Sequence, residues 1–139
     1  MEGVETGAIG QGYVVLLGVK QGDTEAEARY LAEKTAGLRI FPDDQDKMNL
    51  SVVEIGGSVL VISQFTLYAD TRKGNRPGFT EAAGPVEAEH LYEVYTGHLR
   101  RILGQDKVAT GVFRARMVVE IVNEGPVTIE LNSETRPAA

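Results

Sequence analysis

The sequence predicts an α+β domain, on three observations. Short runs rich in Val, Leu and Ile recur between turn signals, as buried strands do. Two longer segments carry apolar residues at helical spacing behind N-cap signals. The 139 residues suffice for a single domain with its own core, and no linker, repeat or low-complexity tract divides them. Periodicity alone counts about six strands and two main helices.

The elements follow in order. Residues 13–19, Tyr-Val-Val-Leu-Leu-Gly-Val, read as a strand buried on both faces, and Gln21-Gly22-Asp23 then turns the chain. Residues 24–36 read as a helix. Thr24 and Glu27 have capping-box spacing, Ala28, Leu31, Ala32 and Thr35 form a narrow apolar stripe, and Gly37 is a C-terminal stop. Residues 38–41 suit a short strand, and 42–46 a polar loop. Residues 49–55 and 58–65 read as a hairpin turned at Gly56-Gly57. Residues 69–78 form a loop rich in Gly, Asn and Asp. Residues 85–103 read as the second helix, with Gly84 as cap and Pro85 where a missing N–H costs nothing. Leu91, Tyr95, His98 and Ile102 share one of its faces. Residues 108–113 and 117–123 read as strands, and 127–131 resume an extended pattern after Gly125-Pro126. From Asn132 the chain is polar and reads as a frayed tail.

Composition narrows the chemistry. There is no cysteine, which excludes disulfides, thiolate zinc sites and a cysteine nucleophile, and suits a reducing compartment. His90 and His98 have no clustered ligand partners, so no metal site is expected. No basic leader precedes an apolar run, and no run approaches the roughly 20 residues that a membrane span requires. The formal net charge is −6. Any contact with RNA must therefore be local and must overcome long-range repulsion.

Three segments stand out, each with two readings. Ser63-Gln64-Phe65-Thr66-Leu67 ends a strongly apolar strand. It is either a strand emerging into solvent or a polar pocket at a strand end, and no Ser-His-Asp spacing supports a triad. Arg72, Lys73 and Arg76 cluster in an acidic protein just before Phe79. They are either a solvated loop or phosphate contacts beside a ring on which a base can stack. Asn123-Glu124-Gly125-Pro126-Val127-Thr128 is either a plain turn or a junction with a specialised peptide bond. His98 reads as a packing residue, His90 as solvated and Met117 as core.

Ser63-Gln64-Phe65-Thr66-Leu67 resembles the Ser-Gln-Phe-Thr-Leu signature of the D-aminoacyl-tRNA deacylases, formerly D-tyrosyl-tRNA deacylases. Asn123-Glu124-Gly125-Pro126-Val127-Thr128 resembles that family's Asn-x-Gly-Pro-Val-Thr, in the family's order and separation. Arg76-Pro77-x-Phe79, Leu16-Leu17-Gly18-Val19, Arg39-Ile40-Phe41 and Lys47-Met48-Asn49-Leu50 are similar as well, so the likeness runs over residues 7–131. Gly78, Arg114 and Arg116 depart from the family pattern, and the family's usual first strand has no counterpart in the single domain spanning residues 1–139.

The resemblance implies a barrel-like core of mixed β-sheets with two main helices, in the cytoplasm. It implies a cofactor-free hydrolase that cuts the ester of D-aminoacyl-tRNA and extends to glycine mischarged on tRNA. Ser63, Gln64, Phe65 and Thr66 would form the catalytic pocket, with Thr66 either a nucleophile or, as we favour, a positioning group. Phe79 would meet the terminal adenine, and Arg72, Lys73 and Arg76 the tRNA phosphates. A homodimer would send Gly125 and Pro126 of one subunit into the other's pocket, where a cis peptide bond would reject L side chains. The runner-up is a catalytically dead module of the same fold that binds RNA ends.

Overall fold

A computed structural model describes residues 4–135. Its elements are β1 (Gly12–Leu17), α1 (Glu25–Gly37), β2 (Phe41–Pro42), β3 (Met48–Leu50), β4 (Ser58–Ser63), α2 (Pro85–Leu103) and β5 (Val108–Thr110). Short 3₁₀ turns cover Phe65–Tyr68, Gln105–Lys107 and Ser133–Thr135. Among the described residues no helix is long and apolar enough to cross a membrane.

The architecture is α+β with two helices, as the sequence predicts. β4 lies in the middle of a three-stranded parallel sheet, between β1 and β5. Val59, Leu60, Val61 and Ile62 are all buried, which is what an unbroken apolar run means in a parallel sheet. β2 and β3 form a separate antiparallel pair.

The helices lie against each other and against this sheet. α1 presents Ala28, Ala32 and Ala36, small enough to let α2 approach closely. The Tyr95 and Thr35 hydroxyls meet at 2.8 Å inside this seam, and burial pushes the Tyr95 phenol up to about 12. Tyr92 donates to the Val61 carbonyl at 3.0 Å, which ties α2 to β4. At the rim, His90 pairs with Glu25 at 3.1 Å and His98 with Glu33 at 3.2 Å. The cap signals hold. Glu27 accepts from the Thr24 amide at 3.0 Å and from its hydroxyl at 2.9 Å, and Pro85 opens α2 behind Gly84.

Five expectations need correction. The hairpin at Gly56-Gly57 does not form, because β4 takes parallel partners on both edges. Residues 51–57 instead make a helical turn, in which Ser51 caps the Glu54 amide and Glu54 caps the Ser51 amide at 3.2 and 3.0 Å. The strand over 108–113 stops at Thr110, and 117–123 and 127–131 carry no ladder. Val118 is 89% and Val122 99% exposed, so an extended segment there has no neighbour to pair with. No closed barrel forms among the described residues, since the main sheet has only three strands. The buried face of α2 runs through Ala88, Leu91, Tyr92, Tyr95, Thr96 and Leu99, which leaves Ile102 exposed. Finally, the segment at Asn132 is not frayed. Lys20 pairs with Glu134 at 2.8 Å, and the tail beyond residue 135 lies outside the described residues.

Replacing Tyr95 with Phe removes one side of the buried hydroxyl pair while Thr35 keeps its bond to the Leu31 carbonyl. We expect Tyr95→Phe to lower unfolding free energy by about 1 kcal/mol in urea titration. An unchanged midpoint and slope would show that the pair contributes nothing.

Candidate functional site

The sheet is parallel, so all three strands end at one edge, where Leu17 pairs in register with Ser63, and Val61 with Thr110. Parallel sheets commonly hold ligands at that edge, because the faces are covered and the strand ends open. The chain leaves β4 here at Ser63. The Gln64 amide still bonds the Leu17 carbonyl at 2.8 Å, and then the backbone tightens into the 3₁₀ turn Phe65–Tyr68.

That turn fixes the chemistry on offer. The Leu67 and Ala69 amides close on the Gln64 and Thr66 carbonyls at 3.2 and 3.1 Å. The leading amides, of Phe65 and Thr66, have no backbone acceptor among the described residues. The Gln64 side-chain amide donates to the Thr66 hydroxyl oxygen. Phe65 is 55% exposed. A methyl group on Gly18, just past β1, would lie 3.1 Å from the Leu67 Cβ and 3.2 Å from the Tyr68 ring. Glycine at that position lets the 3₁₀ turn seat against the β1 exit.

The cationic loop folds back onto this turn. Asp70 and Gly78 exchange backbone bonds of 2.7 and 2.9 Å, closing the loop between them. The Asp70 carboxylate accepts from the Arg72 amide at 3.0 Å and from its Nε and Nη2 at 2.9 and 2.8 Å. Those Arg72 bonds hold the Asp70 carboxyl down to about 2. Lys73 and Arg76 are exposed and have no ion pair among the described residues. Phe79 then meets Phe65 edge-on, with ring centroids 5.0 Å apart at 68°.

The second motif stands apart. Its Gly125–Pro126 peptide is cis. Gly125 has φ of 124°, and a Cβ there would fall 2.9 Å from the Val127 Cγ2, so only glycine fits. Asn123 clasps the loop, accepting from the Val127 amide at 3.0 Å and donating to the Thr128 hydroxyl at 3.2 Å. Glu124, Gly125 and Pro126 project into solvent. Among the described residues no hydrogen bond or ring contact joins this loop to residues 63–66. A cleft of about 2600 Å³ separates residues 4–18 from 115–133, lined by Ile9, Leu16, Leu67, Val119, Ile121 and Ile129 among others. It is far larger than the roughly 300–1,000 Å³ of a small-molecule site, and Ser63, Gln64, Phe65 and Thr66 do not line it.

The structure thus brings Ser63, Gln64, Phe65, Thr66 and Phe79 together and leaves Gly125 and Pro126 elsewhere. It engages Arg72 with a carboxylate that sequence reasoning passed over. An Asp two residues before a loop cation is an Asx-turn signal and could have revealed it. The clasp of Asn123 and Thr128 was also missed, although both residues stand in the quoted motif.

Asp70 should titrate near 2 in the folded protein. Its folded value lies below the ordinary carboxylate range, so its contribution to stability is present above that range and is lost as pH falls toward 2. Carbon-13 NMR of the side-chain carboxyl checks this. Arg72→Ala should return the value to the ordinary range, and an unmoved titration would remove the pair.

A family model described as D-Tyr-tRNA(Tyr) deacylase matches residues 1–132. A D-aminoacyl-tRNA deacylase of Heliobacterium modesticaldum is 61% identical over 129 residues, covering 93% of this chain and 85% of the relative. That of Koribacter versatilis is 58% identical over 134 residues, covering 96% and 89%. A solved structure titled c-Myc DNA Unwinding Element Binding Protein superposes with a TM-score of 0.85 at 39% identity, over 94% of this chain and 85% of that one. A probable eukaryotic D-amino acid tRNA deacylase superposes with a TM-score of 0.60 at 16% identity over 74% of each chain, a likeness of fold.

Proposed function

Because the chain belongs to the D-Tyr-tRNA(Tyr) deacylase family and is a hydrolase of D-aminoacyl-tRNA, we propose that its chemistry is carried by the backbone at the Phe65–Tyr68 turn. The observation behind this is the pair of unengaged amides on Phe65 and Thr66, at the open edge of the parallel sheet. The substrate is an activated ester on a ribose hydroxyl, so positioning and an oxyanion site supply much of the acceleration. Water adds to the ester carbonyl, and the two amides take the oxyanion. The carbon–ribose oxygen bond then breaks, and the ribose oxygen leaves with a proton. The products are free D-amino acid and tRNA.

Thr66 serves as a positioning group. Its hydroxyl oxygen accepts from Gln64, and an amide donor cannot take its proton. Ser63 and Gln64 line the pocket. Phe79, held edge-on to Phe65, receives the terminal adenine. Lys73 and Arg76 contact tRNA phosphates, joined by the outward edge of Arg72, whose side chain is 83% exposed despite its bond to Asp70. No cofactor takes part, and the protein works in the cytoplasm.

The site is completed across a homodimer. The Gly125-Pro126 loop is exposed and clasped at its base, and the apolar Val118, Ile121 and Val122 beside it lack cover within the chain. In a twofold dimer each loop enters the partner's pocket. A backbone carbonyl held against the substrate Cα admits hydrogen on that side and clashes with carbon, which excludes L-substrates. Glycine lacks a side chain and escapes this filter, so glycine mischarged on tRNA is a second substrate.

The deciding experiment is hydrolysis of matched D- and L-tyrosyl-tRNA by the purified chain. We expect release from the D-ester only, and a sharp loss of that discrimination in Pro126→Ala. Equal rates on both esters would overturn the assignment, and unchanged discrimination in a folded Pro126→Ala would overturn the role of the loop. Thr66→Ala should lower the rate without abolishing it, by less than the factor of about 10²–10³ that loss of one oxyanion donor costs, because both backbone donors survive. A covalent acyl group trapped on Thr66 would make it the nucleophile instead.

A further inference from the structure

We propose that Arg114 and Arg116 form a second phosphate contact for the acceptor end of tRNA, at the exit of β5 and separate from the loop carrying Lys73 and Arg76. This rests on aminoacyl-tRNA being the substrate.

Placement comes first. β5 runs parallel to β4 with Val61 opposite Thr110, and the Gly111 amide still reaches the Val61 carbonyl at 3.4 Å. Residues beyond Thr110 therefore leave the sheet at the same edge as residues 63–67. Met117 pins them there. Its Sδ accepts from the Val112 amide at 3.4 Å. A Cβ on Gly111 would lie 2.6 Å from that sulfur and 3.2 Å from Ile62 Cδ1, so sulfur, glycine and the end of β4 are in contact.

The turn between these anchors is tight. The Ala115 amide closes on the Val112 carbonyl at 3.1 Å, and Phe113 packs on Tyr92 with ring centroids 5.8 Å apart. Arg114 takes the third position of that turn with φ of 65°. Turns of this kind favour Gly or Asn there, because a Cβ is crowded in the left-handed region. An arginine is thus a poor choice for stability, and sparsely populated backbone conformations concentrate at functional sites.

Charge supplies the remaining argument. Only Lys20, Arg29 and Arg72 among the described Lys and Arg residues sit against a carboxylate, so position at the sheet edge rather than pairing alone sets Arg114 and Arg116 apart. Arg114 and Arg116 are exposed and have no ion pair among the described residues, in a chain of net charge −6. They belong to one exposed row, alternating with the more covered Phe113, Ala115 and Met117. Two unpaired guanidinium groups at the open edge of a site suit the doubly accepting oxygens of phosphodiesters.

The test uses an RNA hairpin carrying the tRNA acceptor stem and its single-stranded 3′ end, with binding followed by fluorescence anisotropy across salt concentrations. Arg114→Gly should raise the melting temperature, because it relieves the left-handed residue, and yet weaken binding. It should reduce the slope of log affinity on log salt by about one, and Arg114→Gly with Arg116→Gln by about two. Arg114→Lys should restore the slope without the gain in melting temperature. An unchanged slope in the double variant would overturn the proposal, as would a loss of binding explained by dissociation of a dimer in light scattering. Hairpin binding without cleavage of D-aminoacyl-tRNA would remove the catalytic reading and leave the contact standing. Cleavage with an unchanged slope would do the reverse.

Discussion

Strand β4 is buried on both faces and hydrogen-bonded on both edges, so its position fixes everything that follows it in the chain. Its parallel register with β1 and β5 brings three strand ends to a common edge. An antiparallel arrangement would have scattered them to opposite ends. The Phe65–Tyr68 turn, the seat at Gly18, and the Met117 anchor on Gly111 and Ile62 all inherit their places from this pairing. A parallel sheet is costly to assemble, because its crossovers close long loops before any ladder forms. Here it gives a rigid edge on which main-chain groups can be aimed.

The electrostatics follow a different logic. An acidic chain that handles a polyanion cannot rely on its overall field. It can only place cations where their own carboxylates do not neutralise them. Asp70 is instructive here. Instead of opposing the loop cations, it takes one of them and uses it to shape the loop, while Lys73 and Arg76 are left uncommitted. Contacts of this kind, few in number and exposed, act within about 10 Å at ordinary salt. Under the proposed phosphate contacts, orientation on the RNA would come from their spacing rather than their strength.

The sequence disclosed the local elements of the fold better than their pairing. Helix limits were legible because Thr24 and Glu27 cap through their own side chains, and because Pro85 fits the first turn behind Gly84. The apolar run of β4 was legible as a buried strand. Its partners were not, since Gly56-Gly57 looks the same in a hairpin as at the end of a helical turn. The decisive signal was Ser51 with Glu54 three residues on, a capping pattern hidden among Val52, Val53 and Ile55. The alternation of residues 117–123 was read correctly as an extended pattern and wrongly as a paired strand, because periodicity reports faces and says nothing of neighbours. The two signature motifs were recognised as strings. What holds them, the bond from the Gln64 amide to Leu17 and the Asn123 clasp, lies in hydrogen bonds that no periodicity encodes.

The ion pair between Lys20 and Glu134 changes the character of the segment that carries the Gly-Pro loop. While that exposed pair is formed, one end is fixed at β5 and the other held near the β1 exit, and the segment behaves as a ring rather than a free end. A ring explores a volume set by its own length, and its entropy varies only with the logarithm of that length. The tie is exposed, so rising ionic strength loosens it and turns the ring back into a tether. Salt would then act twice on this protein: on its grip of the polyanion, and on how much freedom the chain must surrender when its apolar row is covered.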